Sequence, residues 1–261
     1  MPIFRGAIFD VDGVLINSPH EEAWRQSLQE LMRSDWADIR DRTTWSPDAF
    51  TSYVYQEKVS GEPRIDGARA ALRYFHVPDA DRRAEEYARR KQATLERLIE
   101  SGDFGAYPDA LRFVIAVKDL GFRIAAASSS KNADTFLRKI RLDTFAQEQG
   151  IVSASLRPGF TLLEIFDDDV SGRDFAHGKP HPDMFLAAAH ELGVAPTHAV
   201  VVEDAPAGVE AAKAAAMAAI GIARADDTAL LAAAGADIVV TTLDQVDRGA
   251  LAKGRLTTNT Q

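Results

Sequence analysis

Two carboxylates stand two residues apart, directly after a short apolar run near the start of the chain. The run is 3–9, and Asp10 and Asp12 follow it, with Gly13 next. At a strand end both carboxylates reach one crevice, where Asp10 can act as a nucleophile and Asp12 can give a proton to a leaving oxygen and accept one from water. Gly13 allows the main chain to turn sharply and lie close to a phosphoryl group. The same residues also suit an ordinary strand-to-turn junction, because Asp-Gly is a common turn pair.

A run of hydroxyl, basic and amide side chains stands at a second predicted strand-to-helix junction. The run consists of Ser128, Ser129, Ser130, Lys131 and Asn132. Hydroxyl groups and backbone N–H groups at such a junction are suited to hold phosphate oxygens. A helix N-cap explains one serine at most. The run therefore favours an anion-binding site.

A lysine and an acidic pair complete the chemistry-bearing set. Lys179 lies in 178–183, where two prolines stiffen the approach to a helix, so its charge can be fixed beside a transferring phosphoryl group. Glu203 and Asp204 end another apolar run and offer the oxygen ligands that Mg²⁺ takes. A solvated lysine and an aspartate N-cap are the alternatives. Together with the first two motifs, these residues provide the parts that phosphoryl transfer needs.

The elements that must position these groups alternate between short apolar runs and amphipathic helix patterns. The apolar runs predict strands at 3–9, 122–127, 199–202, 219–222 and 238–240. The helix patterns between them lie at 110–120, 133–140, 183–192, 207–218 and 228–234. This alternation predicts an α/β fold with a doubly wound, Rossmann-like parallel sheet, whose ligand site lies at the carboxyl ends of the strands.

One long stretch interrupts the alternation, because it contains amphipathic helix patterns and no convincing strand. Its first helix pattern is 20–33, with Trp24, Leu28 and Leu31 on one stripe. We therefore predict a helical cap domain at 19–106, inserted into a core domain formed by 1–18 and 107–261.

Two further segments depart from the pattern. Residues 147–166 contain a Pro-Gly pair between two apolar runs and could form a hairpin. Residues 249–261 are polar and are expected to fray.

Composition limits the kind of partner. The chain has 39 acidic and 30 basic residues, a formal charge of −9 and no cysteine. Disulfides and thiolate metal ligands are therefore excluded, and no basic run interleaved with aromatics predicts nucleic-acid binding. No apolar stretch approaches the roughly 18 residues of a membrane span, and no signal-peptide pattern is present. We expect a cytoplasmic monomer whose partner is a small phosphate ester.

The four motifs resemble, in order and spacing, those of the haloacid dehalogenase-like (HAD) superfamily, in the branch that contains β-phosphoglucomutase and small sugar-phosphate phosphatases. The resemblance covers 3–18 and about 107–245 and implies a helical cap where this chain has 19–106. It implies that the first aspartate is phosphorylated, that the second is the general acid and base, and that a serine and a lysine hold the phosphoryl group. These roles fall on Asp10, Asp12, Ser128 and Lys179, with Asp10, Asp12, Glu203 and Asp204 as the Mg²⁺ site.

The resemblance extends into the insert. It covers 90–92 and, more weakly, 59–64, and it implies that Arg64 and Lys91 grip a second or non-reacting phosphate. It also implies a substrate-binding role for His20, as for Gly13 and residues 129–132 of the core. Because the core groups can bind any phosphoryl group, we expect substrate choice to lie with Arg64 and Lys91.

Three departures from the family pattern bear on the reaction. The stretch from Asp10 to Trp24 is two residues shorter than the pattern, which shifts His20 relative to the nucleophile. Asn17 stands where an aspartate is common, and 147–166 has the look of an insertion.

These departures separate the candidate functions. A mutase must keep water from its phospho-enzyme, so an altered cap geometry favours hydrolysis. The first hypothesis is therefore a Mg²⁺-dependent phosphatase that acts on a small sugar phosphate through an aspartyl-phosphate intermediate. A β-phosphoglucomutase-type isomerase is the second. A non-catalytic binding module is the third, and the presence of Asp10, Asp12 and Lys179 argues against it.

Overall fold

The chain folds into two compact units in a computed structural model that describes residues 3–102, 104–225 and 227–259. The first, the core unit, runs up to Asn17 and resumes at Gly105, and the second, the helical unit, is Ser18–Phe104. The assignment of 19–106 as a cap domain stays a prediction, since the division alone does not show what the helical unit does.

The core unit is built around a central parallel sheet. Within the described residues its strands are β1 (Gly6–Phe9), β2 (Ile16–Asn17), β3 (Gly105–Ala106), β4 (Arg123–Ala126), β5 (Asp168–Asp169), β6 (Ala199–Glu203), β7 (Ala218–Ile222) and β8 (Ile238–Val240). Six of them form one sheet in the order β5-β4-β1-β6-β7-β8, with parallel neighbours throughout. The strand order reverses at β1, which pairs with β4 on one side and β6 on the other. The predicted doubly wound α/β fold is confirmed.

Both sequence composition and burial explain the strands. β1 and β6 are buried along their whole length, which is why they read as continuous apolar runs and not as alternating ones. The remaining pair, β2 and β3, is antiparallel and brings Ile16 opposite Ala106. This pair therefore lies where the chain leaves the core unit, after Asn17, and where it returns to it, at Gly105.

Helices make up most of the remaining structure. In the helical unit they are α1 (His20–Arg33), α2 (Ser52–Lys58), α3 (Arg64–Tyr74) and α4 (Ala80–Glu100). In the core unit they are α5 (Pro108–Asp119), α6 (Ala133–Lys139), α7 (Leu142–Glu148), α8 (Asp183–Glu191), α9 (Pro206–Ala214), α10 (Thr228–Ala233) and α11 (Arg248–Leu251). Single 3₁₀ turns lie at Arg40–Arg42, Leu163–Ile165, Pro196–His198 and Leu243–Gln245. No described helix is long and apolar enough to cross a membrane.

Each unit has its own apolar core. In the core unit, Phe185 of α8 and Val209 of α9 pack with Val201 of β6, and all three are fully buried. Burial of each such side chain contributes about 1.5–3 kcal/mol. In the helical unit, Trp24 of α1 meets Tyr87 of α4 edge to face at 4.9 Å, and the Tyr87 hydroxyl donates to the Trp24 carbonyl at 2.9 Å.

The hairpin predicted at 147–166 is wrong. These residues hold the end of α7, an irregular stretch and one 3₁₀ turn, with an isolated antiparallel bridge between Arg141 and Thr161. Side chains satisfy the backbone donors that a ladder would use, since the Asp143 carboxylate accepts from Gly159 N at 2.7 Å and Glu164 accepts from Thr161 N at 2.7 Å. Local carboxylate contacts have therefore replaced strand pairing.

The predicted fraying of 249–261 is also wrong for the residues up to 259. The segment begins within α11, Val246 bridges to Thr258, and the amide of Asn259 donates to the Gln245 carbonyl at 2.7 Å. Polar composition suggested a loose end, but the backbone pairs with 245–247. Residues 260 and 261 lie outside the described residues.

Candidate active site

Asp10 stands at the centre of the candidate site. It follows β1, and its amide donates to the Val202 carbonyl of β6 at 3.0 Å, so the residue is fixed by the sheet itself. The Asp10 residue is 5% exposed, and Oδ1 accepts a hydrogen bond from Lys179 Nζ at 2.6 Å. Because β1 lies where the strand order reverses, Asp10 occupies the position at which doubly wound sheets bind their ligands.

Lys179 links two acidic groups of the site. Its ammonium contacts Asp10 Oδ1 and Glu203 Oε1, and its side chain is almost fully buried. The Phe185 ring lies beneath it, 5.2 Å from Nζ to the ring centre. Although desolvation acts to lower the pKa of Lys179, the charges of Asp10 and Glu203 raise it well above its usual range. The lysine therefore stays charged at neutral pH.

The ionised form of Asp10 depends on neighbouring positive charge. Burial raises the pKa of Asp10, the charges of Glu203 and Asp12 raise it further, and only Lys179 among these neighbours lowers it. A carboxylate must be ionised to act as a nucleophile. A cation bound beside Asp10 would add to the effect of Lys179 and favour the reactive form.

Three carboxylates converge on one point. Among the described residues, the group whose ligand atoms could hold a metal ion together is Asp10, Glu203 and Asp204, with oxygens within 4.8 Å of one another. All three are buried. A set made only of carboxylate oxygens fits a hard cation such as Mg²⁺.

Glycines make room for two of these carboxylates. A Cβ at Gly13 would fall 1.9 Å from Asp204 Oδ2, and a Cβ at Gly208 would fall 1.9 Å from Glu203 Oε1. Gly13 also has a φ of 84°, in the left-handed region. Glu203 is held further by the amides of Asp204 and Ala205, which donate to Oε2 at 2.9 and 3.1 Å. Lys179 contacts the other oxygen of Glu203. Glu203 can therefore orient both Lys179 and the backbone of Asp204.

Asp12, which the sequence assigned to both the acid–base role and the metal site, lies outside that group of three. Its Oδ2 accepts a hydrogen bond from the Ser128 hydroxyl at 3.1 Å. The Ser128 hydroxyl accepts in turn from Ser130 N at 3.0 Å, and the Ser128 amide donates to Ser171 Oγ at 3.1 Å. The structure thus connects the predicted proton donor with the predicted phosphate-binding serine.

The remaining residues of the serine-rich run are more open. Ser130 Oγ accepts from Asn132 N at 3.2 Å, and Ser129 is half-buried beside it. Lys131 points into solvent and lies 2.9 Å from Asp174, with both side chains well exposed. Their predicted substrate-binding role stays a prediction.

Of the three predicted substrate residues of the helical unit, two pair with each other and the third pairs with Gln92. Lys91 Nζ lies 3.0 Å from His20 Nδ1 and 5.1 Å from the centre of the Trp24 ring. Arg64, which is exposed, donates from Nη1 to Gln92 Oε1 at 2.7 Å. His20 and Lys91 therefore come together, and Arg64 pairs with a different residue of α4.

Sequence reasoning missed Arg224, an arginine that contacts residues 11–16, the turn that we call the Asp12 loop. Arg224, directly after Ala223 beyond the end of β7, donates from Nε to the Gly13 carbonyl at 3.2 Å and from Nη2 to the Val14 carbonyl at 3.1 Å. Its Nη1 donates to Asp109 Oδ2 at 2.9 Å. A signal was present, because the arginine follows a predicted strand, as Asp10 and Glu203 do.

The comparison with protein families identifies the class of this enzyme. Residues 4–216 match the model of the haloacid dehalogenase-like hydrolases. The chain belongs to this family, and it is an enzyme of the branch that contains phosphoglucomutases and sugar-phosphate phosphatases.

Relatives of two activities are similar to it over most of their length. The chain is 34% identical over 258 residues to a β-phosphoglucomutase of Mycobacterium bovis, covering 93% of this chain and 91% of that protein. It is 27% identical over 227 residues to a fructose-1-phosphate phosphatase of Escherichia coli, covering 84% and 96% of the two chains. The solved structure of an archaeal β-phosphoglucomutase from Pyrococcus aligns with a TM-score of 0.65 at 26% identity, covering 96% of this chain and 99% of that one.

Proposed function

We propose that the protein is a Mg²⁺-dependent phosphatase that hydrolyses a small sugar phosphate through an aspartyl-phosphate on Asp10. The observation that carries the proposal is the buried contact between Asp10 and Lys179 beside the Glu203 and Asp204 carboxylates. Burying three acidic groups together is costly unless cations offset their charge, and a site that is built this way suits the transfer of a charged phosphoryl group.

The first step forms the covalent intermediate. A carboxylate oxygen of Asp10 attacks phosphorus, and the bond from phosphorus to the sugar oxygen breaks. Asp12 gives its proton to that leaving oxygen, so the sugar departs as a neutral alcohol. The Ser128 hydroxyl, 3.1 Å from Asp12 Oδ2, and the Lys179 ammonium hold the phosphoryl oxygens.

The second step returns the enzyme to its starting state. Asp12, now a carboxylate, takes a proton from water, and the water oxygen attacks phosphorus. The bond between phosphorus and Asp10 breaks, which releases inorganic phosphate and restores the Asp10 carboxylate. The proton that Asp12 gave in the first step is thereby replaced.

The residues that would hold Mg²⁺ are Asp10 and Asp204, with Glu203 orienting them. Bound there, the ion would neutralise negative charge on the phosphoryl group and on Asp10. Glu203 is the weaker ligand candidate, because Lys179, Asp204 N and Ala205 N already contact its two oxygens.

The helical unit, in this proposal, acts as the cap and chooses the substrate. His20, Arg64 and Lys91 provide two cationic side chains and an imidazole, which suit the second phosphate or the hydroxyl groups of a sugar phosphate. The sheet-end residues bind a phosphoryl group without reading what is attached to it. Specificity therefore depends on these helical side chains.

A β-phosphoglucomutase-type isomerase is the second candidate function. The observation in its favour is the 34% identity to the Mycobacterium bovis protein of that name over 93% of the chain. An isomerase would return the phosphoryl group from Asp10 to another hydroxyl of the sugar and exclude water during the exchange. The shortened stretch before His20 favours the phosphatase.

One experiment separates the two candidates. The purified chain is incubated with a panel of hexose, pentose and glycerol phosphates in Mg²⁺, and both released phosphate and isomerised sugar are measured. The phosphatase predicts phosphate release with no isomer, and excess EDTA should abolish it. Isomer formation without phosphate release identifies the mutase, and full turnover in EDTA rejects the metal assignment.

A further inference from the structure

Arg224 lies behind the loop that carries Asp12, and neither step of the proposed reaction uses it. Its Nε and Nη2 atoms donate to the carbonyls of Gly13 and Val14 at 3.2 and 3.1 Å. A guanidinium is planar and offers its donors at fixed angles, so one side chain fixes two consecutive peptide groups. These are the residues that directly follow Asp12.

The guanidinium is itself fixed from two sides. Its Nη1 donates to both carboxylate oxygens of Asp109, at 3.1 and 2.9 Å, and its central carbon lies 3.8 Å from the centre of the Tyr107 ring. Asp109 is anchored in turn by the amide of Leu243 at 2.8 Å and the hydroxyl of Thr242 at 3.1 Å. The Arg224 side chain is only 13% exposed. It therefore has little freedom to move away from the loop.

The loop that it holds is tightly folded. The Gly13 amide donates to the Ile16 carbonyl at 2.8 Å, and the amides of Leu15 and Ile16 donate to the Val11 carbonyl at 3.0 and 2.9 Å. Tyr107 closes the far end, because its amide donates to the Leu15 carbonyl at 2.9 Å. Within this turn, the Gly13 and Val14 carbonyls accept hydrogen bonds from Arg224.

The guanidinium could be a structural ion pair that merely stabilises the fold. Such a role requires only the contact with Asp109, which a lysine could also make. The two carbonyl contacts require the fork of an arginine. They also act on the backbone segment that directly follows Asp12 and so helps to set where its carboxyl group lies.

We propose that Arg224 is a positioning residue that holds the backbone after Asp12, so that the Asp12 carboxyl group is aligned to pass its proton to the leaving oxygen. The inference rests on the proposed phosphatase reaction. Arg224 then matters when a leaving oxygen must be protonated. It matters little when the leaving group departs as a stable anion.

The test compares two substrates in a first-turnover experiment. A hexose phosphate has a poor leaving group that needs a proton, whereas 2,4-dinitrophenyl phosphate releases an anion that needs none. We expect Arg224→Ala to slow first-turnover cleavage of the hexose phosphate by about 100-fold and that of the aryl phosphate by less than about threefold. Arg224→Lys should fall between Arg224→Ala and wild type, and Asp12→Asn should show the same selectivity in a stronger form.

Arg112→Ala is the matched control. Arg112 pairs with Asp244 through two nitrogens and lies on α5 of the same unit, and within the described part of the chain it donates no hydrogen bond to the Asp12 loop. Its ratio of the two rates should equal that of wild type. Equal loss on both substrates in Arg224→Ala, or no loss on either, overturns the inference.

Two further outcomes are kept apart. If Arg224→Ala does not fold, as judged by thermal unfolding, the ratio of rates in Arg224→Lys and Asp109→Asn decides, and an unchanged ratio in both overturns the inference. If wild type releases phosphate or dinitrophenol from neither substrate, the proposed function has failed.

Discussion

Two buried lysines, one in each unit, differ in what surrounds them. Lys179 of the core unit and Lys91 of the helical unit are both 3% exposed. The Lys179 ammonium contacts the Asp10 and Glu203 carboxylates, whereas Lys91 lies 3.0 Å from the His20 ring nitrogen and 5.1 Å from the centre of an indole ring. The first environment suits a group that balances charge in a reaction centre. The second holds a cation between an imidazole and an indole, and its contact with a substrate is part of the proposed function.

The difference shows that burial alone does not define the role of a lysine. The contacts of Lys179 arise from the ends of neighbouring parallel strands, where side chains from distant parts of the sequence meet. The contacts of Lys91 arise between α1 and α4, where they depend on which helix faces pack together. The two lysines should therefore respond differently to the same substitution.

The largest effect is expected for Lys179→Met. The change leaves the Asp10 and Glu203 carboxylates without their shared cation, and phosphate release should fall by about 10³-fold. In metal-free protein the free energy of unfolding should also fall by about 3–5 kcal/mol, because the buried carboxylates lose the cation that they share. Turnover assays and denaturant unfolding measure the two effects. Lys91→Met should lower phosphate release and the free energy of unfolding by less than Lys179→Met does. Equal losses in the two variants would show that burial of a lysine, and not its contact with carboxylates, causes them, and the comparison would fail.

A second substitution tests the crowding around the core carboxylates. Gly13→Ala places a Cβ 1.9 Å from Asp204 Oδ2, so Asp204 must move and turnover should fall by about 100-fold. Gly121 is the matched control, since its φ of 83° is almost the same as the 84° of Gly13 and its Cβ would meet nothing within 4 Å. Gly121→Ala should destabilise the fold by about 1–2 kcal/mol, the cost of an L residue in the left-handed region, and leave turnover unchanged. Similar turnover in the two variants would show that backbone strain, and not Asp204, explains any loss.

The helical lysine should have a smaller and more selective effect. If the helical unit acts as the proposed cap, Lys91→Met should lower kcat/KM for the best sugar phosphate by about tenfold and for a small aryl phosphate by less than about twofold, because only the first substrate offers groups for Lys91 to bind. Lys58→Met is a matched control, since Lys58 also lies over an aromatic ring, 5.9 Å from the centre of Tyr74. Equal losses on both substrates would show that Lys91 supports the fold and does not read the substrate.

The smallest effect concerns the acid stability of the core unit. Burial acts to raise the pKa of Asp109. Hydrogen bonds from Arg224 and Leu243 outweigh this effect and lower the pKa below its ordinary 3.8. A carboxyl group with a lowered folded-state pKa contributes stability above its unfolded pKa and loses it as the pH falls through the folded value. Unfolding free energy should therefore drop less in Asp109→Asn than in wild type between pH 5 and pH 2. An identical drop in the two proteins would show that Asp109 does not contribute to the acid sensitivity of the fold.

The core motifs could be predicted from the sequence because, in a parallel sheet, a residue that comes at the end of a strand lies at a known edge of the sheet. Asp10 and Ser128 follow a recognisable strand and Glu203 ends one, and strands that run in the same direction bring such residues to one edge. Arg224 obeys the same rule and was overlooked, because an isolated arginine after a strand carries no motif.

Contacts that depend on packing could not be predicted in this way. The pairing of Lys91 with His20 depends on the way in which α1 and α4 meet, and nothing in the spacing of the two residues indicates it. The hairpin expected at 147–166 failed for a related reason, since the Asp143 and Glu164 side chains take the backbone donors of Gly159 and Thr161. A pattern of apolar runs does not show that such local contacts are available.

The central claim is that Asp10 carries the phosphoryl group during turnover, and trapping that group tests it most directly. Wild type and Asp12→Asn are incubated with Mg²⁺ and the best substrate, quenched in acid and reduced with borohydride, and the modified residue is located by peptide mass spectrometry. The account predicts modification of Asp10 in wild type, slower modification of the same residue in Asp12→Asn because the leaving oxygen receives no proton, and none in Asp10→Asn. Modification of another residue, or a phospho-enzyme in Asp10→Asn, would contradict it.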